Sequence, residues 1–163
     1  MRTTTALLIA LSTSLAACGG GNPKEDAFAA LNSGDFAGAI ADFDKAMDGV
    51  EQGSSEHIEL AVGRCEALAH TDAEAAKNAM IALAEAHKDG VKSGDYKLVA
   101  SKMVDAKNFE PAIHLLDDGI KNRFPSDSEK LTALIETITM KAEKSGDAGA
   151  LSALKGLGYV GGE

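Results

Sequence analysis

Residues that end or begin helices recur along this chain at nearly even intervals, and this recurrence limits the possible fold more than any other feature. Gly34, Thr71, Lys107 and Gly146 each separate one segment with helical apolar spacing from the next. These positions are 37, 36 and 39 residues apart. Intervals of this size are typical of helical hairpins that stack on one another. The pattern predicts an all-α chain of about four antiparallel helix pairs.

Eight helices are expected from the apolar spacing and from the residues that can cap helix ends. Capping boxes are predicted at 71–74 and 126–129, and Asn108 is a predicted N-cap. The low aromatic content of 4% and the three prolines favour helices that pack through small aliphatic side chains. The expected helices are 23–32, 36–48, 55–70, 71–87, 96–106, 109–123, 131–144 and 146–154.

Two of the repeated segments share a pattern of side-chain sizes. GDFAGAIADFDKAM at 34–47 and KNFEPAIHLLDDGI at 107–120 both contain Phe, then Ala-Ile, then a large apolar residue. The pattern resembles the second helix of a tetratricopeptide repeat. In that family a small residue, matched by Ala39 and Ala112, lets helices approach closely. A large residue, matched by Phe43 and Leu116, fills the neighbouring groove.

The resemblance implies a right-handed solenoid over residues 23–156, followed by a C-terminal tail at 157–163. It also implies a groove, lined by the first helix of each hairpin, that takes a protein or an extended peptide. A non-repetitive helical bundle is the alternative. The groove residues that follow from the family register are Lys24, Phe28, Leu31, Lys97, Ser101, Glu136 and Met140.

The N-terminus has the features of an export signal. Arg2 precedes a short apolar run at 6–15, which is too short to span a bilayer. The following Leu15-Ala16-Ala17-Cys18 resembles the lipobox of bacterial lipoproteins. Membership implies recognition of Leu15, Ala16 and Ala17 by signal peptidase II, removal of residues 1–17 and attachment of a diacylglyceryl group to the thiol of Cys18.

The same resemblance predicts a location in the cell envelope. Residues 18–22 would form a flexible tether, because they include three consecutive glycines. Gly19 replaces the Asp that retains family members at the inner membrane, so an outer-membrane position facing the periplasm is expected. The alternatives are an ordinary secretory signal with an incidental cysteine, or a buried helix of a cytosolic protein.

Few residues elsewhere in the chain suggest catalysis or metal binding. The four histidines lack the spacing of a helical zinc site and are expected to be solvated. From Asp44, Gly49 suits a calcium loop but Ser55 replaces its final Glu. Cys65 has helical apolar neighbours and is expected to be a small buried hydrophobe, with a reactive thiol as the alternative. We expect no catalysis, no metal, no small-molecule substrate and no cofactor beyond the lipid on Cys18.

Charge and sequence together favour a binding role. A formal net charge of -9 repels nucleic acids and anionic headgroups. The leading hypothesis is a non-catalytic scaffold for protein–protein interaction, held to a membrane by its lipid. The alternatives are a structural or assembly-assisting envelope lipoprotein, and an accessory subunit of a periplasmic enzyme. The last rests on an LGYV ending at 157–160 that resembles the ending of some bacterial sulfatases.

Overall fold

The computed structural model describes residues 21–161, and this part of the chain is all-α, without a strand. A π-helical turn, Gly119–Arg123, and a 3-10 turn, Pro125–Asp127, separate the sixth and seventh helices. The eight α-helices are α1 (Pro23–Ser33), α2 (Phe36–Asp48), α3 (Ser55–Thr71), α4 (Ala73–Ala86), α5 (Ser93–Asp105), α6 (Phe109–Asp118), α7 (Ser128–Ser145) and α8 (Ala148–Leu157).

The helices pack against their chain neighbours and also against helices two places away. Among the odd-numbered helices, α1 contacts α3, α3 contacts α5, and α5 contacts α7. Among the even-numbered helices, α4 contacts α6 and α6 contacts α8. The all-α prediction and the expected eight helices are therefore confirmed for the described residues.

The buried side chains form two hydrophobic clusters. The smaller, N-terminal cluster contains Phe43 and Leu60 with four alanines. The larger cluster extends from α3 to α8 and includes Met80, Tyr96 and Leu116. Because the two groups of buried residues are separate, the first hairpin has an apolar core largely of its own.

The small and large residues of the repeated pattern lie in these cores. Ala39, Phe43, Ala112 and Leu116 are all fully buried. A β-carbon built on Gly63 of α3 would lie 2.6 Å from the Phe43 ring, so glycine is needed at this close approach. Small residues therefore allow a large side chain to fill the space between neighbouring helices.

Three of the four turns within hairpins close in the same way. Gly34, Lys107 and Gly146 have φ of 83°, 64° and 69°, in the left-handed region. The next residue's amide donates to a carbonyl five positions back, as in a Schellman motif. Thr71 differs, since it is the last residue of α3 and Asp72 alone joins α3 to α4.

Several predicted helix starts are wrong in detail. Asp72, rather than Thr71, caps α4 by accepting from the Ala75 amide at 3.0 Å. The box expected at 126–129 does not form, because the chain enters α7 through the 3-10 turn and no side chain caps that helix. Asn108 precedes α6, but its side-chain amide donates to the Ala69 carbonyl at 3.2 Å. Tertiary partners compete successfully with local capping.

Four predicted helix ranges also differ from the structure by three residues or more at one end. The seventh helix begins at Ser128 rather than Leu131, and the eighth ends at Leu157 rather than Leu154. The fifth helix begins at Ser93 rather than Tyr96, and the Asp95 carboxylate accepts from the Lys92 amide at 2.8 Å. The sixth helix ends at Asp118 rather than Arg123, because the chain continues as the π-helical turn. At the start of that turn Gly119 is buried, and a β-carbon there would lie 2.9 Å from Leu131.

The C-terminal segment packs onto the larger cluster. Leu157, Tyr159 and Val160 are half-buried against it. The Tyr159 hydroxyl donates to Asp117 at 2.9 Å. These contacts hold the C-terminal segment against α6 of the third hairpin.

Cys65 lies in the larger cluster, and we predict that its thiol is inert in the native protein. Its side chain is 2% exposed, and burial raises the pKa of the thiol to about 12. Because the thiolate is the nucleophile, native Cys65 should react with iodoacetamide at pH 8 about 100-fold more slowly than in urea. The measurement uses the Cys18→Ser variant, in which Cys65 is the remaining cysteine.

The matched control moves the cysteine to the surface of α8. A Ser152→Cys substitution in a chain lacking both natural cysteines should label equally fast with and without urea, because Ser152 is exposed. Rapid labelling of native Cys65 would contradict a closed core at α3.

Candidate functional site

Two neighbouring hollows in the described part of the chain are lined mainly by the odd-numbered helices α1, α3 and α5. Between α1, α3 and α5 there is a hollow of about 340 Å³, here called the central hollow. Phe28 and Leu98 lie at opposite sides of it, and Val62 and Glu66 come from α3 between them. Apolar side chains from three helices therefore converge on one depression.

A second hollow, of about 330 Å³, adjoins the first and is here called the turn hollow. It lies against the turn between α1 and α2, and Glu66 lines both hollows. Its walls include Leu31, His70 and Lys102. The ring of Phe36 stacks on His70, with centroids 4.0 Å apart and planes 2° from parallel.

Ion pairs join successive odd-numbered helices across this surface. Lys24 of α1 lies 2.6 Å from Glu59 of α3 and 3.8 Å from Glu56. Lys102 of α5 lies 3.8 Å from Glu66 of α3. These pairs are partly solvated and contribute modestly to stability, so they chiefly position charge beside the apolar side chains.

A third hollow, the basic hollow, has a volume of about 630 Å³ and lies where the turn between α5 and α6 meets the end of α7. Three lysines, one serine, one aspartate and two apolar residues line it. The lining residues are Val104, Asp105, Lys107, Phe109, Lys141, Lys144 and Ser145.

Two titratable groups in the turn hollow are perturbed. Burial raises the pKa of Glu66, and nearby Lys102 opposes that shift. Burial, followed by the charge of Lys102, lowers the pKa of His70, while Asp105 acts in the opposite direction. Both shifts follow from placing ionisable groups against an apolar wall beside one cation.

The sequence-derived groove residues on α1 lie on this surface. Lys24 forms the ion pairs to α3, Phe28 lines the central hollow and Leu31 lines the turn hollow. Phe28 also packs edge-on against Phe43, with ring centroids 5.0 Å apart.

The residues assigned on α5 and α7 occupy other positions. Lys97 is exposed, and its carbonyl accepts from the Ser101 hydroxyl at 2.7 Å. Their neighbours Leu98 and Lys102 line the hollows instead. On α7, Glu136 and Met140 are exposed, Met140 by 64%. The side chains of α5 that line the two hollows are therefore each one residue after the predicted ones.

Sequence reasoning missed Glu66, which is common to two hollows. A signal was present, since Glu66 is a charged residue beside the apolar spacing of Val62, Cys65 and Ala69. All four histidines, which were expected to be solvated, are partly exposed. His57 Nδ1 is buried without a hydrogen-bond partner, and its ring lies edge-on to His87 at 5.8 Å between centroids.

The predicted lipidation site lies outside the described residues. Leu15, Ala16, Ala17 and Cys18 all precede residue 21, where the description begins. Between residues 21 and 161, no helix is long and apolar enough to cross a membrane. The same residues contain no group of three or more His, Cys, Asp or Glu side chains placed to hold a metal ion.

Comparison with protein-family models, with curated proteins and with solved structures finds no match to this chain. The interpretation of the site therefore rests on its geometry and charge. Three hollows along the odd-numbered helices combine apolar walls with charged rims, an arrangement suited to non-covalent binding.

We predict that Glu66→Gln makes the protein more stable at neutral pH. A carboxyl group with a raised pKa binds its proton more tightly in the folded state, so stability falls as pH rises through that pKa. Glutamine removes this loss. The difference in unfolding free energy between variant and wild type should be near zero at pH 4 and favour the variant at pH 7, measured by urea unfolding.

Glu136→Gln is the matched control, because Glu136 is exposed in the middle of α7 and forms no ion pair within the described residues. This variant should have an unfolding free energy close to that of wild type at both pH values. A loss of stability in Glu66→Gln at pH 7 would show instead that the ion pair with Lys102 outweighs the cost of burial.

Proposed function

We propose that this chain is a membrane-anchored lipoprotein that captures a protein partner, without catalysis, on the surface of its odd-numbered helices. The solenoid arrangement of four hairpins is part of this proposal. It is supported by contacts between helices two places apart, which are the contacts that stacked hairpins make. The repeated turn geometry at Gly34, Lys107 and Gly146 agrees with it.

The observation that carries the proposal is the apolar lining of the central hollow. Phe28, Val62 and Leu98 line it from α1, α3 and α5, beside the carboxylate of Glu66. Leu98 and Met140 are the large apolar residues exposed in the described part of the chain, by 39% and 64%. At protein-binding surfaces, apolar anchors supply affinity and charges select the partner.

The tether and the location come from the N-terminal motif. Cys18 would carry the lipid, residues 18–22 would link it to α1, and the helical domain would face the periplasm from the outer membrane. Several acyl chains at about 0.8 kcal/mol per buried methylene are sufficient for stable anchoring. A lipid anchor would keep the binding surface close to partners in the envelope.

The test of partner capture is photo-crosslinking in intact cells. A benzoylphenylalanine residue placed at Met140 or Leu98 of the full chain should give a discrete adduct with another protein. The same residue at Lys45, exposed on α2, is the control and should not give that adduct. Identical crosslinking patterns at all three positions would refute a partner surface on the odd-numbered helices.

A separate test addresses the anchor. Cys18→Ser should abolish incorporation of a clickable palmitate analogue, stop cleavage before residue 18 and release the protein from the outer-membrane fraction. Continued maturation at the same bond with retention in that fraction would refute lipidation at Cys18. The two tests are independent, since a partner surface and an anchor can fail separately.

A further inference from the structure

The basic hollow combines apolar walls with three lysines at its rim. Val104 and Phe109, 5% and 7% exposed, form its apolar walls, and Lys107, Lys141 and Lys144 surround them. Its volume of about 630 Å³ is large enough for several side chains of a peptide.

The three lysines have no acidic partner within ion-pair distance in the described residues. Eight of the other twelve basic side chains of the same region are in ion pairs. Asp105 is the one acid among the residues that line the hollow. Three lysines beside one aspartate therefore give this place a net positive charge in an otherwise acidic protein.

The turn hollow provides an internal comparison. It occupies the corresponding junction between the first two hairpins, with Phe36 in the place of Phe109 and Gly34 in the place of Lys107. In the turn hollow, the C-terminal part of α3 contributes Glu66. In the basic hollow, the C-terminal part of α7 contributes Lys141. The same structural junction thus carries an acid in one copy and a cation in the other.

The requirements of folding do not explain why a lysine occupies position 107. Its φ of 64° lies in the left-handed region, where a β-carbon has a steric cost that glycine avoids. The corresponding positions after α1, α7 and α8 are glycines. Lys141 and Lys144 lie near the C-terminal end of α7, where cations favour the helix dipole, but that argument does not apply to Lys107.

We propose that the basic hollow binds an acidic segment of the partner protein. Aspartate or glutamate side chains of that segment pair with Lys107, Lys141 and Lys144. An apolar residue of the segment contacts Val104 and Phe109. This inference rests on the proposed function, and it names the chemistry of the partner.

A peptide fits the observations better than a membrane surface does. The lysines surround a concavity with apolar walls, which side chains of a peptide can enter, whereas a bilayer presents a broad surface. Exposed Met140, one turn before Lys144 on α7, extends the apolar surface beyond the hollow.

The test measures binding of two fluorescein-labelled peptides to the detergent-solubilised full chain by fluorescence anisotropy. One peptide repeats two glutamates and a leucine, and the other has glutamine in place of glutamate. The glutamate peptide should bind more tightly, and raising the salt concentration should weaken it. Replacing Lys107 by Gly together with Lys141→Gln and Lys144→Gln should weaken binding about tenfold.

The matched control is Lys88→Gln with Lys130→Gln and Lys155→Gln, which changes the net charge equally and leaves the hollow intact. This variant should bind like wild type. Circular dichroism should show that both triple variants fold, because all six substituted lysines are exposed and Lys107→Gly also relieves backbone strain. Equal binding by both triple variants, or absence of binding by wild type, would overturn the proposal.

Two further outcomes separate this inference from its alternatives. Binding of phosphatidylglycerol vesicles through the three lysines, without binding of the glutamate peptide, would overturn it in favour of a membrane contact. The crosslinking at Met140 can be repeated in the variant that lacks Lys107, Lys141 and Lys144. If the partner adducts persist, the basic hollow is not the docking site. Partner capture by the odd-numbered helices would then still stand.

Discussion

Phe43→Ala is expected to destabilise the first hairpin by about 3–5 kcal/mol, the usual cost of removing a fully buried phenylalanine. Phe43 is 0% exposed, packs against Phe28 and fills the space over Gly63. Alanine would leave a cavity that neighbouring alanines cannot fill. Urea unfolding followed by circular dichroism measures the loss.

The loss should be confined to one end of the molecule. Phe43 belongs to the small N-terminal cluster, and the larger cluster extends from α3 to α8 without it. In stacked hairpins, stability is approximately a sum over units and their interfaces. Hydrogen exchange should therefore show α1 and α2 losing protection in Phe43→Ala while α5 to α8 retain theirs.

Leu116→Ala is the matched comparison. Leu116 occupies the corresponding position of the third hairpin, is 0% exposed and lies in the larger cluster. Its replacement should cost about 2–5 kcal/mol and lower protection from α3 to α8. If both variants lose protection uniformly along the chain, the protein unfolds as a single cooperative unit and the division into two cores has no energetic meaning.

Asp118→Ala is expected to cost about 2–4 kcal/mol, because Asp118 accepts three side-chain hydrogen bonds where α6 passes into the π-helical turn. The donors are the Tyr96 hydroxyl at 2.9 Å, Asn122 Nδ2 at 2.9 Å and Arg123 Nε at 3.1 Å. The carboxylate side chain is only 14% exposed. Removing it leaves a buried hydroxyl and a largely buried guanidinium without this partner.

Tyr96→Phe tests how much of the stability lost in Asp118→Ala comes from the hydrogen bond of Tyr96. It removes one hydrogen bond and leaves the Asp118 and Arg123 pair intact, so it should cost about 1 kcal/mol. Burial, and then the hydrogen bond to Asp118, raise the pKa of Tyr96. Absorbance at 295 nm should show Tyr96 of Asp118→Ala ionising at lower pH than in wild type. Equal stability of Asp118→Ala and Tyr96→Phe would show that Arg123 finds sufficient compensation from Glu85, 2.6 Å away.

The sequence predicted the helices well because their ends depend on local chemistry. Gly34 and Gly146 end helices in the left-handed conformation that glycine favours, and Asp35 and Asp147 cap the helices that follow. Likewise, Ala39 and Phe43 could be assigned to the core from their spacing alone.

The predictions of helix ends were wrong where residues distant in the sequence bind the side chains expected to cap those ends. Asn108 donates to Ala69, so its side chain does not cap α6. The π-helical turn after Asp118 likewise depends on Tyr96 and Leu131, which no local pattern reveals.

Sequence by itself determined the eight helices, the apolar residues between them and the motif at Cys18, because these depend on spacing and on the intrinsic properties of single residues. Tertiary structure alone decided that Glu66 lines two hollows, that Leu98 rather than Lys97 lines the central hollow, and that three lysines line the basic hollow. Helix rotation and packing set these positions, and a rotation of one residue, about 100°, changes which side chain faces a neighbour.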